Sequence, residues 1–191
     1  MFSLPPVTQA LILTNVILFF APGMGMALPL DALALWPLGP NFMPWQVLTY
    51  AFLHGSLTHL LFNMFGLYMF GGDIERVWGS KRFLNYYLIC VLSAAAAQLL
   101  VSFLMGSRYP TVGASGGLFG LLIAFAMVYP NRMIMPLIPP IPMRAPVFVA
   151  LYGGLELFLG VTGSQSGVAH FAHLGGLAGG YLFIKFWRGR R

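Results

Sequence analysis

The sequence predicts an all-α membrane protein, a six-transmembrane-helix bundle with an interfacial loop between helices one and two. Of its 191 residues, 59% are hydrophobic and 7% charged. That leaves too few charges to coat a globular surface in water, so a bilayer is the expected solvent. The apolar residues fall into six runs bounded by proline, glycine or charge, the punctuation of membrane spans. Six spans of roughly 20 residues use about 120 positions, so residues 1–191 are expected to form one transmembrane domain with short loops.

The first run follows MFSLPP with no basic stretch ahead of it and no small-residue cleavage site before the next loop. It is expected as a retained helix near residues 8 to 28. Residues 29 to 55 mix Asp31, several prolines, Trp36 and Trp45; this segment is expected in the interface, partly helical, with its tryptophans at headgroup depth. Helix two is expected near 57 to 72 and helix three near 83 to 104. Helix four is placed near 115 to 130, helix five near 146 to 162 and helix six near 168 to 187. The single cysteine, Cys90, lies inside the apolar run LNYYLICVLSAAAA, which excludes a disulfide framework and a thiolate metal site.

The net charge of +6 does not indicate nucleic acid, because the cations sit at helix ends and form no stripe with interleaved aromatics. Arg76, Lys81 and Arg82 flank the loop after helix two, and Arg132 and Arg144 the loop after helix four. Lys185, Arg188, Arg190 and Arg191 follow helix six; only Arg108, after helix three, falls on the other side. The positive-inside tendency makes the nine-cation side cytoplasmic, with both termini there, in the inner (plasma) membrane of a cell.

Polar groups within a span are expensive and mark a protein interior or a wet cavity. The ones present are His54, His59 and Asn63 around the start of helix two, Ser115 opening helix four, Glu156 in helix five, and His170 and His173 near the start of helix six. Helices two, four and six run from outside inward. At about 1.5 Å per residue, Ser115 stands roughly 25 Å above Arg132, His173 roughly 22 Å above Arg188, and Asn63 and His59 roughly 20 and 25 Å above Arg76. Four reactive side chains therefore share one depth below the outer surface. A hydroxyl, an imidazole and an amide donor at one level are the parts of an acyl-transfer site. No carboxylate lies at that depth on these three helices, and Asp73 falls about 15 Å below Asn63, which favours a serine and histidine dyad over a triad.

The setting of Ser115 is consistent with this. GASGGLFG places it at a helix opening among Gly113, Gly116, Gly117 and Gly120, where another backbone can approach and unpaired N–H groups offer partial positive charge. In HLGGLAGG, Gly176 and Gly180 stand four apart, the spacing that lets helices pack closely and would bring His173 toward helix four.

With HLLFN from His59 to Asn63, GASG from Gly113 to Gly116 and AHLGGLAGG from Ala172 to Gly180 in this order, the chain resembles the rhomboid intramembrane serine proteases in their minimal six-helix bacterial form. The resemblance runs from about Trp45 to Gly180, and GxSG alone would be weak. It implies that Ser115 attacks the scissile carbonyl with His173 as base and then acid. His59, Asn63 and the Ser115 backbone N–H would stabilise the oxyanion, with Gly113 and Phe119 supporting the site. It also implies transmembrane protein substrates cut at small residues where a helix unwinds, lateral entry gated by helix five and the GSQSG cap from Gly163 to Gly167, and no cofactor or metal. The chain departs from the pattern at Phe119, where many members carry a tyrosine stacked on the histidine, and at Gln46, where many carry an arginine after the tryptophan.

Plainer readings stand beside these. A serine among glycines is often only a packing residue, and His173 could be a hydrogen-bonded packing histidine. His170, one turn earlier, is the rival for the base although a structural role suits it better. His54 suits an interfacial contact, and Glu156 has no assigned role. The main alternative function is a small proton-coupled or polar-solute transporter using the histidines and Glu156 as a relay, but the polar groups cluster toward one face and no inverted repeat is visible. An inactive relative that only binds membrane proteins is disfavoured because both serine and histidine are present. A metal or haem site is disfavoured by the lack of i, i+4 ligand pairs on opposing helices.

Overall fold

The computed structural model describes residues 3–137, 139–163 and 169–188. The GSQSG segment singled out in the sequence lies, from residue 164 to 167, outside the described residues. So do residues 190 and 191.

The chain is mostly helical. Helix α1 spans Pro6–Phe20, shorter than the expected 8 to 28 because Pro22 has no N–H to continue the ladder. The chain instead makes a tight turn over Pro22–Met24 that ends on Gly25 at φ +85°. Short helices α2 (Leu30–Leu33) and α3 (Gln46–Thr49) lie in the following segment. Helix α4, Leu57–Gly66, continues through a wide π turn, Leu67–Gly71, into α5, Gly72–Trp78. Together they run six residues past the expected end at 72. Then come α6 (Ser80–Met105), α7 (Ser115–Val128), α8 (Ala145–Thr162) and α9 (His170–Arg188). A small hairpin, β1 (Met133–Ile134) with β2 (Met143–Arg144), closes the α7–α8 connection. Among the described residues, α6 and α8 are the two helices long and apolar enough by themselves to cross a membrane; α1 and α7 are shorter apolar helices.

Helix α9 is wedged between α6 and α7, and its paired glycines explain how. Gly175 and Gly179 face α6, where an added Cβ would meet Ala97 and Ser93. Gly176 faces α7 so closely that a methyl group there would overlap the carbonyl of Gly116. Reciprocally, a Cβ at Gly120 would lie 3.2 Å from the Gly176 carbonyl oxygen and against Cys90 of α6. Small residues at this crossing let the backbones touch, which is how helices gain packing energy without a hydrophobic drive from water. The aromatic core of Phe83, Tyr86 and Tyr87 fills the space beside it, all at most 1% exposed.

A second anchor joins α1 to α5. Glu75 is 2% exposed and accepts from Val7 N (3.0 Å), Thr8 N (2.7 Å), Thr8 Oγ1 (2.7 Å) and Ser80 Oγ (2.7 Å). It thus supplies acceptors for first-turn N–H groups of α1 that Pro5 cannot cap, and its charge sits at the favourable end of that helix.

Gly176→Ala should lower the thermal midpoint of the detergent-solubilised protein by the equivalent of about 1–3 kcal/mol or more, the usual cost of overpacking. Gly154→Ala, where nothing lies within 4 Å of the added Cβ, should not lower it. Equal midpoints for the two variants would refute the α7–α9 contact as drawn.

Candidate active site

The site is built from the segment before α4 upward. Gln46, 0% exposed, accepts from Trp36 N (3.2 Å) and donates to the Asn41 carbonyl (3.0 Å) and the Ala32 carbonyl (3.4 Å). Trp45 Nε1 donates to the same Ala32 carbonyl at 2.8 Å, and Thr49 Oγ1 to that of Leu33 at 2.7 Å. The neutral amide of Gln46 thus serves as the hub of this loop. The ordered loop then holds the entry to α7. Leu35 and Thr111 exchange backbone bonds of 3.0 and 2.9 Å, Gly113 N donates to the Tyr50 carbonyl at 2.9 Å, and the Tyr50 hydroxyl reaches the Val91 carbonyl of α6 at 2.9 Å. Gly113 sits at φ +131°, a conformation that side chains resist; through it the chain turns and opens α7 at Ser115.

The glycine crossing carries His173 to that point. Its Nε2 lies 2.7 Å from Ser115 Oγ, and its ring stacks on Phe119 with centroids 4.5 Å apart and planes within 6°. The ring is therefore held by one face and one nitrogen. Across the cavity, Ser56 caps α4 by accepting from His59 N at 3.1 Å. A Cβ on Gly113 would lie 2.8 Å from His59 Nε2 and 3.6 Å from Ser115 Oγ, so the His59 ring reaches in beside the hydroxyl. Asn63, 3% exposed, donates one N–H to the His59 carbonyl at 2.9 Å, which leaves its amide a second donor. These groups line a cavity of about 840 Å³ together with Gln98, Tyr109 and Leu118.

All six residues singled out for the site fall in this region: Ser115, His173 and Phe119 in direct contact, His59 and Gly113 packed together, and Asn63 one turn below His59. His54 stands just behind, its ring edge-on to that of His59 with centroids 4.9 Å apart. Burial first, and then the charge of His59, push its pKa down to about 4, so it is neutral at physiological pH. A carboxylate reaches the site from α8, a helix outside the three counted for depth: Glu156 Oε2 lies 2.9 Å from His173 Nδ1 and 2.6 Å from His170 Nδ1. The depth count covered the three inward-running helices, whereas α8 runs the other way. His170 Nδ1 faces Glu156 and its buried Nε2 has no hydrogen-bond partner among the described residues, while the imidazole in contact with Ser115 is that of His173. The anchoring role of Glu75 and the place of Gln46 at the centre of its loop were not identified from sequence, because their partners lie up to 68 residues away or are backbone groups of an irregular loop.

A comparison with known families matches residues 41–190 to the family described as the rhomboid domain. Among individual proteins, the chain is 33% identical over 139 residues to the rhomboid protease GluP of Bacillus subtilis; the match covers 72% of this chain and 25% of GluP. It is 32% identical over 145 residues to RHOMBOID-like protein 4 of Arabidopsis thaliana, covering 72% of this chain and 32% of that one. It is 31% identical over 183 residues to the rhomboid YdcA of Bacillus subtilis, covering 93% of this chain and 86% of YdcA. The matched region thus spans a quarter to a third of the first two relatives and most of the third.

Gly113→Ala would force a side chain into the +131° conformation and against the His59 ring. Labelling of Ser115 by a fluorophosphonate is expected to slow on the order of 10- to 100-fold, since small misplacements of reacting groups cost that much, with helical content by circular dichroism unchanged. Wild-type labelling rates would contradict the geometry.

Proposed function

Since the chain belongs to the rhomboid family, we propose that it is an intramembrane serine endopeptidase with Ser115 as nucleophile and His173 as general base and acid. The observation that carries this reading is the 2.7 Å contact between Ser115 Oγ and His173 Nε2 at the wall of an 840 Å³ cavity. Oγ attacks the scissile carbonyl carbon while its proton passes to Nε2 and the carbonyl π pair moves onto oxygen. The Ser115 backbone N–H, the free N–H of Asn63 and the His59 ring receive the oxyanion. Collapse breaks the C–N bond, and Nε2–H protonates the leaving amine to leave an ester on Ser115. A water molecule then gives its proton to Nε2 and hydrolyses the ester, returning the serine hydroxyl.

The proposed architecture is one domain of six spans: α1, the continuous rod from α4 to α5, α6, α7, α8 and α9. Large apolar side chains on the outer faces support it, among them Ile17, Leu61, Leu100, Leu151, Phe158 and Phe186, each at least 57% exposed; such a surface suits lipid. The basic ends support one orientation. Arg132 lies 4.0 Å from Asp73, and Arg82 lies 5.4 Å from the Trp187 ring, so α5, the start of α6, the end of α9 and the start of the α7–α8 connection share one positive rim. That rim, with the beginning of α1 and the end of α9, is the cytoplasmic side of a plasma membrane in this reading. The substrates are transmembrane proteins, cleaved where a helix yields an extended segment. The steps as proposed draw on the Ser115, His173, Asn63 and His59 side chains, the Ser115 backbone N–H and water.

In liposomes, Ser115→Ala and His173→Ala should each reduce cleavage of a fluorogenic transmembrane peptide by roughly 10³-fold or more, and Asn63→Ala should lower kcat by about 10²-fold. Undiminished cleavage by Ser115→Ala would end the proposal.

A further inference from the structure

Glu156 is a carboxylate on an otherwise apolar helix, and its Oε2 faces two imidazole nitrogens: His170 Nδ1 at 2.6 Å and His173 Nδ1 at 2.9 Å. We propose that Glu156 is a positioning residue for His173, a third member that holds the imidazole with its proton on Nδ1 and its Nε2 lone pair facing Ser115. This rests on the serine protease reading above.

The argument is one of proton placement. With the proton on Nε2, the Nδ1 lone pair of His173 would face an anionic oxygen at 2.9 Å, which is repulsive; with the proton on Nδ1 the contact is attractive and Nε2 is free to accept from the hydroxyl 2.7 Å away. One tautomer is attractive at both ends of the ring, and it is the tautomer a general base needs. When His173 takes the serine proton it becomes an imidazolium, and a carboxylate at ion-pair distance in a low-dielectric setting offsets that charge. His170 fixes the carboxylate, since its Nδ1 lies at hydrogen-bond distance from Oε2 and it stands one turn before His173 on the same helix. Oε2 lies off the axis of the His173 Nδ1–H, which meets no acceptor head-on. Such contacts often tighten only as charge develops. Glu156, His170 and His173 are also groups that bind zinc, but ligands on a tetrahedral zinc at about 2.0 Å stand roughly 3.3 Å apart. The separations of 2.6 and 2.9 Å are both shorter than that, and the 2.6 Å pair fits a shared proton.

The test combines kinetics with spectroscopy on the whole 191-residue chain in detergent. Glu156→Gln, close to isosteric, should lower kcat by about 10²-fold, less than the ~10⁴-fold of a well-aligned triad, with KM unchanged and Ser115 labelling by a fluorophosphonate slowed in parallel. Nitrogen-15 NMR of labelled histidine should find His173 protonated on Nδ1 in the wild type, a readout that needs no variant to fold, and shifted toward Nε2–H in Glu156→Gln. An Nε2–H tautomer in the wild type would overturn the assignment. So would a folded Glu156→Gln that cleaves and labels at wild-type rates, or wild-type cleavage lost to a chelator and restored by zinc. A wild-type protein that neither cleaves nor labels would overturn the protease reading itself.

Discussion

The contact of two helical backbones at Gly116 and Gly176 is the constraint from which the site follows. A helix crossing made by ordinary side chains keeps axes 8–10 Å apart, and an imidazole and a serine hydroxyl on such helices would not meet without long, mobile side chains. With hydrogen in place of a side chain at the crossing, the short Ser115 side chain, one residue from the contact, comes within bonding distance of His173. The aromatic ring of Phe119 then has only to hold the imidazole flat. Because packing of this kind is stiff, the alignment is inherited from the fold and needs no local strain beyond Gly113.

The loop before α4 completes the arrangement from the other side. Its tryptophans, threonine and glutamine spend their donors on the Asp31, Ala32, Leu33 and Asn41 carbonyls, and the structure so made grips the entry to α7 through Leu35, Thr111, Tyr50 and Gly113. The hydroxyl is thus fixed from outside by a hydrogen-bonded loop and from inside by helix packing.

Much of this was legible in the sequence because it depends on identity and spacing alone. GASG, HLLFN and AHLGGLAGG name their residues outright, and rise per residue puts them at one level. What escaped depends on rotational phase and partners distant in the chain. The depth of Glu156 can be counted along α8, but nothing in LYGGLELFLG says which side of the helix faces α9. Glu75 stands beside Arg76 in the sequence, and nothing in that stretch points to its partners at Val7 and Thr8. The span from α4 to α5 could not be bounded, because a π turn leaves no mark on hydropathy.

That wide turn at Leu67–Gly71 has a consequence for how the rod is used. One residue inserted into a helix rotates everything beyond it by about 100°, so a turn that absorbs one extra residue lets the two halves be aimed independently. The upper half points His59 and Asn63 at the cavity, and the lower half points Glu75 at the beginning of α1. A continuous α-helix would tie those two headings together; here the joint works as a vernier between a chemical end and a structural one.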